Sequence, residues 1–241
     1  TVCNKGPYVE IYAQGTKEQI DGFLNSLKEH PPKRAAVLKI NTEDITADTT
    51  EQFEHFEIIE SEKTKGEIFI SPDIAICDEC KEEMFDPKDR RYLHPFINCT
   101  CCGPRLTILD ALPYDRERTS MKEFPMCPDC AKEYTDEKTR RYDAQPVCCN
   151  QCGPQVYLIG RPERGRAAIT YTRRLIREGK IVAIKGIGGF HLCCDATNEE
   201  VVCRLRTLKN RPAKPFAVMA KDESVVKREC VVTPEQEAIL T

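Results

Sequence analysis

The sequence predicts a multidomain chain of the α+β and α/β classes built around a metal-stapled middle. Three observations carry that expectation. Four Cys-x-x-Cys knuckles fall between residues 77 and 152, a strand–helix–strand pattern precedes them, and an alternation of helices and strands around a glycine-rich turn follows them. The expected layout is 1–60 as the back half of a small α+β domain, 61–76 as a linker, and 77–104 as a first zinc finger. A connector follows at 105–126, then a second finger at 127–154, and 155–241 form the first part of an α/β domain.

Residues 7–14 (PYVEIYAQ) alternate apolar and polar side chains with the period of a half-buried strand, and Gly15 ends the run. Thr16 then caps a helix whose apolar positions Ile20, Phe23, Leu24 and Leu27 recur at helical spacing until Pro31-Pro32 stops it. Segments 35–41 (AAVLKIN) and 53–60 (FEHFEIIE) read as two more strands. The front half of this small domain is expected upstream of residue 1.

Cys77/Cys80 and Cys99/Cys102 are separated by eighteen residues, and so are Cys127/Cys130 and Cys149/Cys152. This C-x2-C-x18-C-x2-C spacing is that of all-cysteine zinc sites, in which four thiolates stand about 2.3 Å from one ion. The alternative is eight unrelated buried or disulfide-bonded cysteines, and the spacing rule weighs against it. The two units are copies. Shifted by fifty residues, CDECKEEMFDPKDRRYLHPFINCTCCGP lies on CPDCAKEYTDEKTRRYDAQPVCCNQCGP. Glu83/Glu133, Asp86/Asp136, Lys88/Lys138, Arg90/Arg140, Arg91/Arg141 and Tyr92/Tyr142 match, together with the closing Gly-Pro turns. Four knuckle cysteines in each copy favour one metal per copy, because local closure orders shorter loops. An interleaved pairing of outer with outer and inner with inner knuckles stays open. The paired arginines read as solvated, or as packing their stems beside Tyr92 and Tyr142, with phosphate contact as the sharper alternative. Four-cysteine ligation leaves no place for water or substrate, so both Zn2+ ions are expected to be structural. The segment is rich in charge and poor in aliphatics; metal binding, worth on the order of 10–16 kcal/mol in finger peptides, stands in for a core.

Downstream, Ala167–Glu178 reads as a helix, Gly179 as the residue that ends it, and Lys180–Lys185 as a buried strand. The turn GIGG (186–189) could let backbone amides approach an anion, although tight βα turns use glycine anyway. Thr197-x-x-Glu200 has capping-box spacing and opens a helix through Leu208. The basic LKNRPAKP (208–215) leads to a strand FAVMA (216–220), and a further helix begins near Pro234. His191 reads as a partly buried histidine, with lining of a pocket as the alternative. His55 and His94 receive no role.

A formal charge of −3 gives no basic signature of nucleic-acid binding. No apolar run reaches the length of a membrane span, and TVCNKGPYVEI lacks the pattern of a signal peptide. Eight of the fifteen cysteines have metal spacing and seven are left over, an odd number that fits a reducing cytoplasm better than a disulfide framework.

The duplicated unit, with RRY and CGP in each copy, resembles the finger region of the HypF family, carbamoyltransferases of [NiFe]-hydrogenase maturation. TVCNKGPYVEIYAQG resembles the second half of that family's acylphosphatase-like (ferredoxin-like) module. KIVAIKGIGGFHLCCDA with LKNRPAKPFAVM resembles the start of its YrdC-like module. The resemblance implies cleavage of carbamoyl phosphate, activation of the carbamate with ATP and Mg2+ as carbamoyl adenylate, and transfer to the C-terminal cysteine of the partner protein HypE. Carbon and nitrogen then end as cyanide ligands of the hydrogenase iron. The family's phosphate-binding arginine loop and transfer module are not in this sequence, so an internal fragment, inactive alone, is expected. At the level of fold alone the YrdC-like module brings an association with double-stranded RNA.

By the same resemblance Asn4 matches the asparagine that orients the attacking water, a role suited to an amide that both donates and accepts. Lys209, Arg211 and Lys214 match the K-x-R-P-x-K-P element that meets nucleotide phosphates, with Lys185 on the preceding strand; a solvated helix end is the plain alternative. Two other readings stand beside this one. Four knuckles also occur in chaperone-type or RNA-binding fingers, but those carry glycines where this chain has KEE, GPR, AKE and GPQ. A threonylcarbamoyl-adenylate synthase would show a P-T-D-T-like stretch where this chain has Lys185-Gly186-Ile187-Gly188.

Overall fold

The computed structural model describes residues 1–5, 8–31, 35, 37–45, 55–59 and 70–240. They fall into two compact units, Thr1–Arg166 and Ala167–Thr241.

The first unit opens with a small sheet. β1 (Val2–Asn4) pairs antiparallel with β2 (Val9–Ile11) in the register Val2↔Ile11, and parallel with β3 (Ile58–Ile59) in the register Val2↔Ile58, giving the order β2-β1-β3. Between β2 and β3 runs α1 (Lys17–Glu29). Thr16 forms the full capping box, its hydroxyl accepting from the Gln19 amide while the Gln19 side chain accepts from the Thr16 amide. Ile20, Leu24 and Leu27 of its apolar stripe are half-buried and Phe23 is exposed. The strand expected over 7–14 is shorter than its alternating pattern, and the three-residue β1 carries too little pattern to be read. No strand forms in the described part of 35–41, and residue 36 lies outside the described residues. In the described part of the strand expected over 53–60, residues 55–59, only Ile58–Ile59 are extended and paired; residues 53, 54 and 60 and most of the 61–76 segment lie outside the described residues.

The middle of the chain is folded around cysteine rather than aliphatic side chains. α2 (Asp78–Phe85) and α3 (Pro128–Thr135) each begin one residue after the first knuckle cysteine, which serves as N-cap. Around Cys77, Cys80, Cys99 and Cys102 pack Ile97, Met84 and Cys101; around the second set pack Ala144, Val147, Met126 and Tyr134. The duplication is reproduced in the backbone. Leu93 and Asp143 both adopt left-handed φ, 53° and 51°, and their amides donate to Met84 and Tyr134 carbonyls at 2.9 Å each. The connector holds three 3-10 turns, Leu106–Ile108, Arg116–Arg118 and Ser120–Glu123. Asp73 accepts the amides of Arg105 (2.8 Å) and Thr107 (3.1 Å), fastening the entry segment to it. Arg116 donates to the carbonyls of Gln145, Val147 and Phe124, fastening the connector to the second copy.

In the second unit α4 (Gly165–Arg177) ends as expected at Gly179, whose φ is +71°. β4 (Val182–Lys185) and β5 (Phe190–Cys193) form an antiparallel hairpin in the register Lys185↔Phe190. GIGG is therefore a hairpin turn, closed by the Gly186 amide on the Gly189 carbonyl at 2.7 Å, rather than a βα turn, and β4 is largely exposed rather than buried. The GIGG pattern suits either turn, because both demand glycine torsions. α5 (Glu199–Leu208) buries Val201 and Leu205. Its cap is Asn198, whose side chain accepts from the Val201 amide; Thr197 instead donates its hydroxyl to Asp195 at 2.7 Å. Residues 216–220 form no strand. α6 (Glu223–Glu229), which the sequence reading did not anticipate, is capped by Asp222, and α7 (Pro234–Leu240) begins where expected.

Candidate functional site

The eight knuckle cysteines gather into two cages, Cys77, Cys80, Cys99 and Cys102, and Cys127, Cys130, Cys149 and Cys152, with the sulfurs of each within 4.8 Å of one another. Closure is thus within each copy, and the interleaved pairing is excluded. All fifteen cysteines are free thiols. Sulfur separations are 3.7 Å for Cys77–Cys99 and Cys99–Cys102, 3.8 Å for Cys127–Cys149 and Cys149–Cys152, and 3.6 Å for Cys130–Cys152. A tetrahedron of sulfurs about 2.3 Å from a central ion has edges of about 3.8 Å, whereas a disulfide requires about 2.05 Å. Donor type, number and spacing all fit zinc. Seven of the eight knuckle cysteines are buried, Cys80, Cys102 and Cys130 fully, and Cys152 is half-buried.

Each cage accepts a backbone amide of its own copy, Cys101 to Cys99 Sγ at 3.3 Å and Gln151 to Cys149 Sγ at 3.4 Å, and takes its guanidinium donors from the other copy. Arg90 Nη2 lies 3.1 Å from Cys127 Sγ and 3.2 Å from the Sγ atoms of Cys130 and Cys149. Arg91 donates Nε to the Cys148 carbonyl at 2.9 Å and both terminal nitrogens to the Glu133 carboxylate. In return Arg140 Nη1 lies 3.7 Å from Cys80 Sγ and 3.9 Å from Cys77 Sγ. Arg141 donates Nε to the Asn98 carbonyl at 3.0 Å, reaches Cys80 Sγ at 3.7 Å, and pairs with Glu83. The Thr100 hydroxyl donates to the Tyr142 carbonyl at 3.0 Å, and the equivalent Asn150 side chain donates to the Tyr92 carbonyl at 2.9 Å. Arg91 and Arg141 are buried, so the sequence expectation of solvated or stem-packed arginines is corrected. The signal that could have found this was the identity of charged residues, beyond the ligands, in both copies.

Electrostatics follow the crossing. Burial pushes the Glu83 carboxyl up, but Arg141 and Arg140 outweigh it and hold it below the usual carboxylate range; Glu133 is held down against burial by Arg91, Arg141 and Arg90. Burial raises Cys149, yet the amides of Gln151 and Cys152 and the Arg90 guanidinium bring it down to about 6, and its counterpart Cys99 is lowered by hydrogen bonds from Cys102 and Cys80. One thiol in each cage is thereby biased toward the thiolate, the form that binds metal, while burial pushes Cys77 up to about 11, the Cys102 contact and burial raise Cys80, and burial raises Cys130. Between the copies His94 Nε2 lies 3.2 Å from Cys148 Sγ. Burial and then the Arg91 charge pull His94 down to about 4, and burial lifts Cys148 to about 12, so both are neutral at pH 7. His94, given no role from sequence, is a packed residue of this junction. Gly103 has φ +103°, and a Cβ there would stand 2.6 Å from Asn98 Cβ, which is why the Cys99–Cys102 knuckle is followed by glycine.

The remaining sequence candidates lie outside the cysteine cages, Asn4 in the first unit and Lys185, Lys209, Arg211 and Lys214 in the second. Asn4 lies exposed at the end of β1, opposite Val9, where the chain turns back through a Lys5 amide to Tyr8 carbonyl bond of 3.0 Å. Lys209 is the C-cap residue of α5, and Arg211 donates to the carbonyls of Lys214 (3.4 Å) and Pro215 (2.8 Å). Arg206, missed by the sequence reading, donates to the Arg211 and Lys214 carbonyls; the Arg206 and Arg211 guanidinium groups lie 4.8 and 5.5 Å from the Phe216 ring centre. The 209–214 loop is thus wound on two arginines and a phenylalanine. Lys185 lies over Phe190 at 5.8 Å, and among the described residues no hydrogen bond or ring contact joins it to that loop. His191 is exposed, its ring 3.0 Å from where a Cβ on Gly186 would stand.

Comparison with known proteins places each segment. The acylphosphatase family model matches residues 1–58, the HypF finger model matches 76–109 and 126–159, and the Sua5/YciO/YrdC model, described as telomere recombination, matches 174–241. The chain is 53% identical to a probable carbamoyltransferase HypF of Methanocaldococcus jannaschii, over 92% of this chain and 29% of that protein. It is 46% identical to carbamoyltransferase HypF2 of Cupriavidus necator over 100% and 30%, and 50% identical to HypF of Synechocystis over 90% and 29%. Among solved structures it resembles full-length HypF in a phosphate- and nucleotide-bound form, with a TM-score of 0.81 at 42% identity over 99% of this chain and 31% of that one. HypF of T. kodakarensis gives 0.78 at 47% identity over 100% and 30%. The chain therefore spans about 30% of the length of these relatives.

Proposed function

Since the chain belongs to the HypF family, we propose that it is the part of a carbamoyltransferase that joins carbamoyl phosphate cleavage to carbamate activation. Cys77, Cys80, Cys99 and Cys102 hold one Zn2+, and Cys127, Cys130, Cys149 and Cys152 a second, both as structural ions in the segment that links the flanking domains along the chain. With four thiolates in each shell the ions supply folding energy and no Lewis-acid site. Asn4 orients the water that cleaves carbamoyl phosphate. The released carbamate is adenylated by ATP with Mg2+. Lys209 and Lys214 meet the phosphates, Arg211 holds the loop that presents them, and Lys185 adds charge at the hairpin. Clustered cations of this kind stabilise the charge that develops on a leaving pyrophosphate. The carbamoyl group passes to the C-terminal cysteine of HypE and supplies the cyanide ligands of a [NiFe]-hydrogenase. The proposed domain boundaries are those of the sequence, with the fingers at 77–104 and 127–154. Fifteen free thiols suit a reducing compartment, the cytoplasm; among the described residues no helix is long and apolar enough to cross a membrane.

The observation that carries this reading is the order of the three family matches along one chain at 42–53% identity to proteins named carbamoyltransferases. ATP–pyrophosphate exchange by the full-length protein tests it: exchange should require carbamoyl phosphate. Exchange supported instead by threonine with bicarbonate points to the threonylcarbamoyl-adenylate reading, and exchange with neither favours a binding module.

A further inference from the structure

The two cages are built so that neither is complete on its own. Arg90 covers a triangular face of the second cage, touching three of its sulfurs, while Arg140 and Arg141 converge on Cys80 of the first. A zinc ion with four thiolates carries a formal charge of −2, and burying that charge is costly unless donors offset it. The donors come on loops that their own copy holds in place. Lys88 and Lys138 amides bond the Asp86 and Asp136 side chains, and Leu93 and Asp143 amides return to Met84 and Tyr134 at the ends of α2 and α3. Those helices begin at the first knuckle cysteine of the same copy. Closing one cage therefore fixes the loop whose arginines the other cage needs.

We propose that the chain takes up its two zinc ions cooperatively, each cage being completed by the arginine pair of the opposite copy. The inference rests on the zinc reading of both cages. Coupling of this kind is reciprocal, so the effect must be the same whichever site fills first. Arg90, Arg91, Arg140 and Arg141 are positioning residues that act on the metal through the sulfurs. A change in such outer partners typically costs 10–100-fold in metal affinity.

Native mass spectrometry of the metal-free chain given one equivalent of zinc provides the first test. Independent equal sites put about half of the molecules in the one-zinc form; cooperative uptake leaves that form well below half, in favour of empty and two-zinc chains. A one-zinc fraction at or above half overturns the proposal. The second test is chelator competition on Cys80→Ala, which keeps all four thiols of the second copy. Zinc at the remaining site should weaken about 10–100-fold, with Cys130→Ala giving the mirror result, whereas unchanged affinity refutes coupling. Arg91→Met should weaken zinc when all eight thiols are present and cost less than about twofold in the Cys80→Ala chain, where its loop has already lost its anchor. An equal cost in both backgrounds shows that the arginine is placed without its own cage and overturns the mechanism. A wild-type chain that binds fewer than two zinc ions at saturation sinks the zinc reading and this inference together, an outcome distinct from two independent sites.

Discussion

Replacing Arg141 by methionine isolates what the crossed arginines contribute to stability. Its side chain is 5% exposed and makes four kinds of contact: Nε to the Asn98 carbonyl at 3.0 Å, the terminal nitrogens to Glu83, Nη2 toward Cys80 Sγ at 3.7 Å, and Nη1 to Glu133 at 3.6 Å. Methionine fills similar space without donors. The Asn98 carbonyl loses its Nε partner, and the Glu83 carboxylate, 25% exposed, keeps only Arg140. Breaking a buried pair costs about 3–5 kcal/mol. Because Glu83 retains one cation and some water, the low end applies, about 3 kcal/mol. At about 2–4 °C per kcal/mol for a chain of this size, the zinc-loaded protein should melt about 6–12 °C lower. Circular dichroism on cooling-reversible melts with zinc in excess reads this directly. Arg141→Lys keeps the charge but loses the fork and the Nε bond, and should fall between. Adding Glu83→Leu to the methionine variant removes the stranded carboxylate and should recover part of the loss. A melting point within about 2 °C of wild type for Arg141→Met refutes the reasoning, since it would show that the crossing is ornamental.

Further expectations are open to simple assays. Gly103→Ala forces a left-handed alanine against Asn98 Cβ, and should cost about 1–3 kcal/mol in urea unfolding and speed zinc loss to a chelator. Arg211→Ala and Phe216→Ala both unwind the loop at 209–214; in the full-length protein each should raise the KM for ATP in pyrophosphate exchange and leave zinc content unchanged, and a normal KM in both removes the nucleotide role from this loop. Thr16→Ala breaks the capping box of α1 and should cost about 1 kcal/mol by urea unfolding followed at the helix signal.

What the sequence made legible was local chemistry. Cysteine spacing and the fifty-residue repeat located both cages, and local loop closure gave the correct pairing. The Thr16 cap, the Gly179 stop and the start of α7 are also local signals, read from residues within a turn of one another. Failures lie where long-range partners decide. FAVMA and 35–41 have the composition of strands, but a strand forms only when a neighbour pairs with it, and propensity cannot supply one. Asn198 displaced Thr197 as cap by a single position, well inside the reach of either side chain. The paired arginines were misread because a charged pair beside tyrosine looks solvated until the second copy is seen facing it. His94 gave no ligand spacing and is held instead by Cys148, fifty-four residues away.

X-ray absorption at the zinc edge of the purified chain bears most directly on the claim that both copies are closed, all-sulfur, purely architectural sites. Two equivalents of zinc, each with four sulfurs at about 2.3 Å and no lighter neighbour, is the expected result. An oxygen or nitrogen scatterer at about 2.0–2.1 Å would contradict it, because a site holding water or histidine is not the closed cage described for Cys77–Cys102 and Cys127–Cys152.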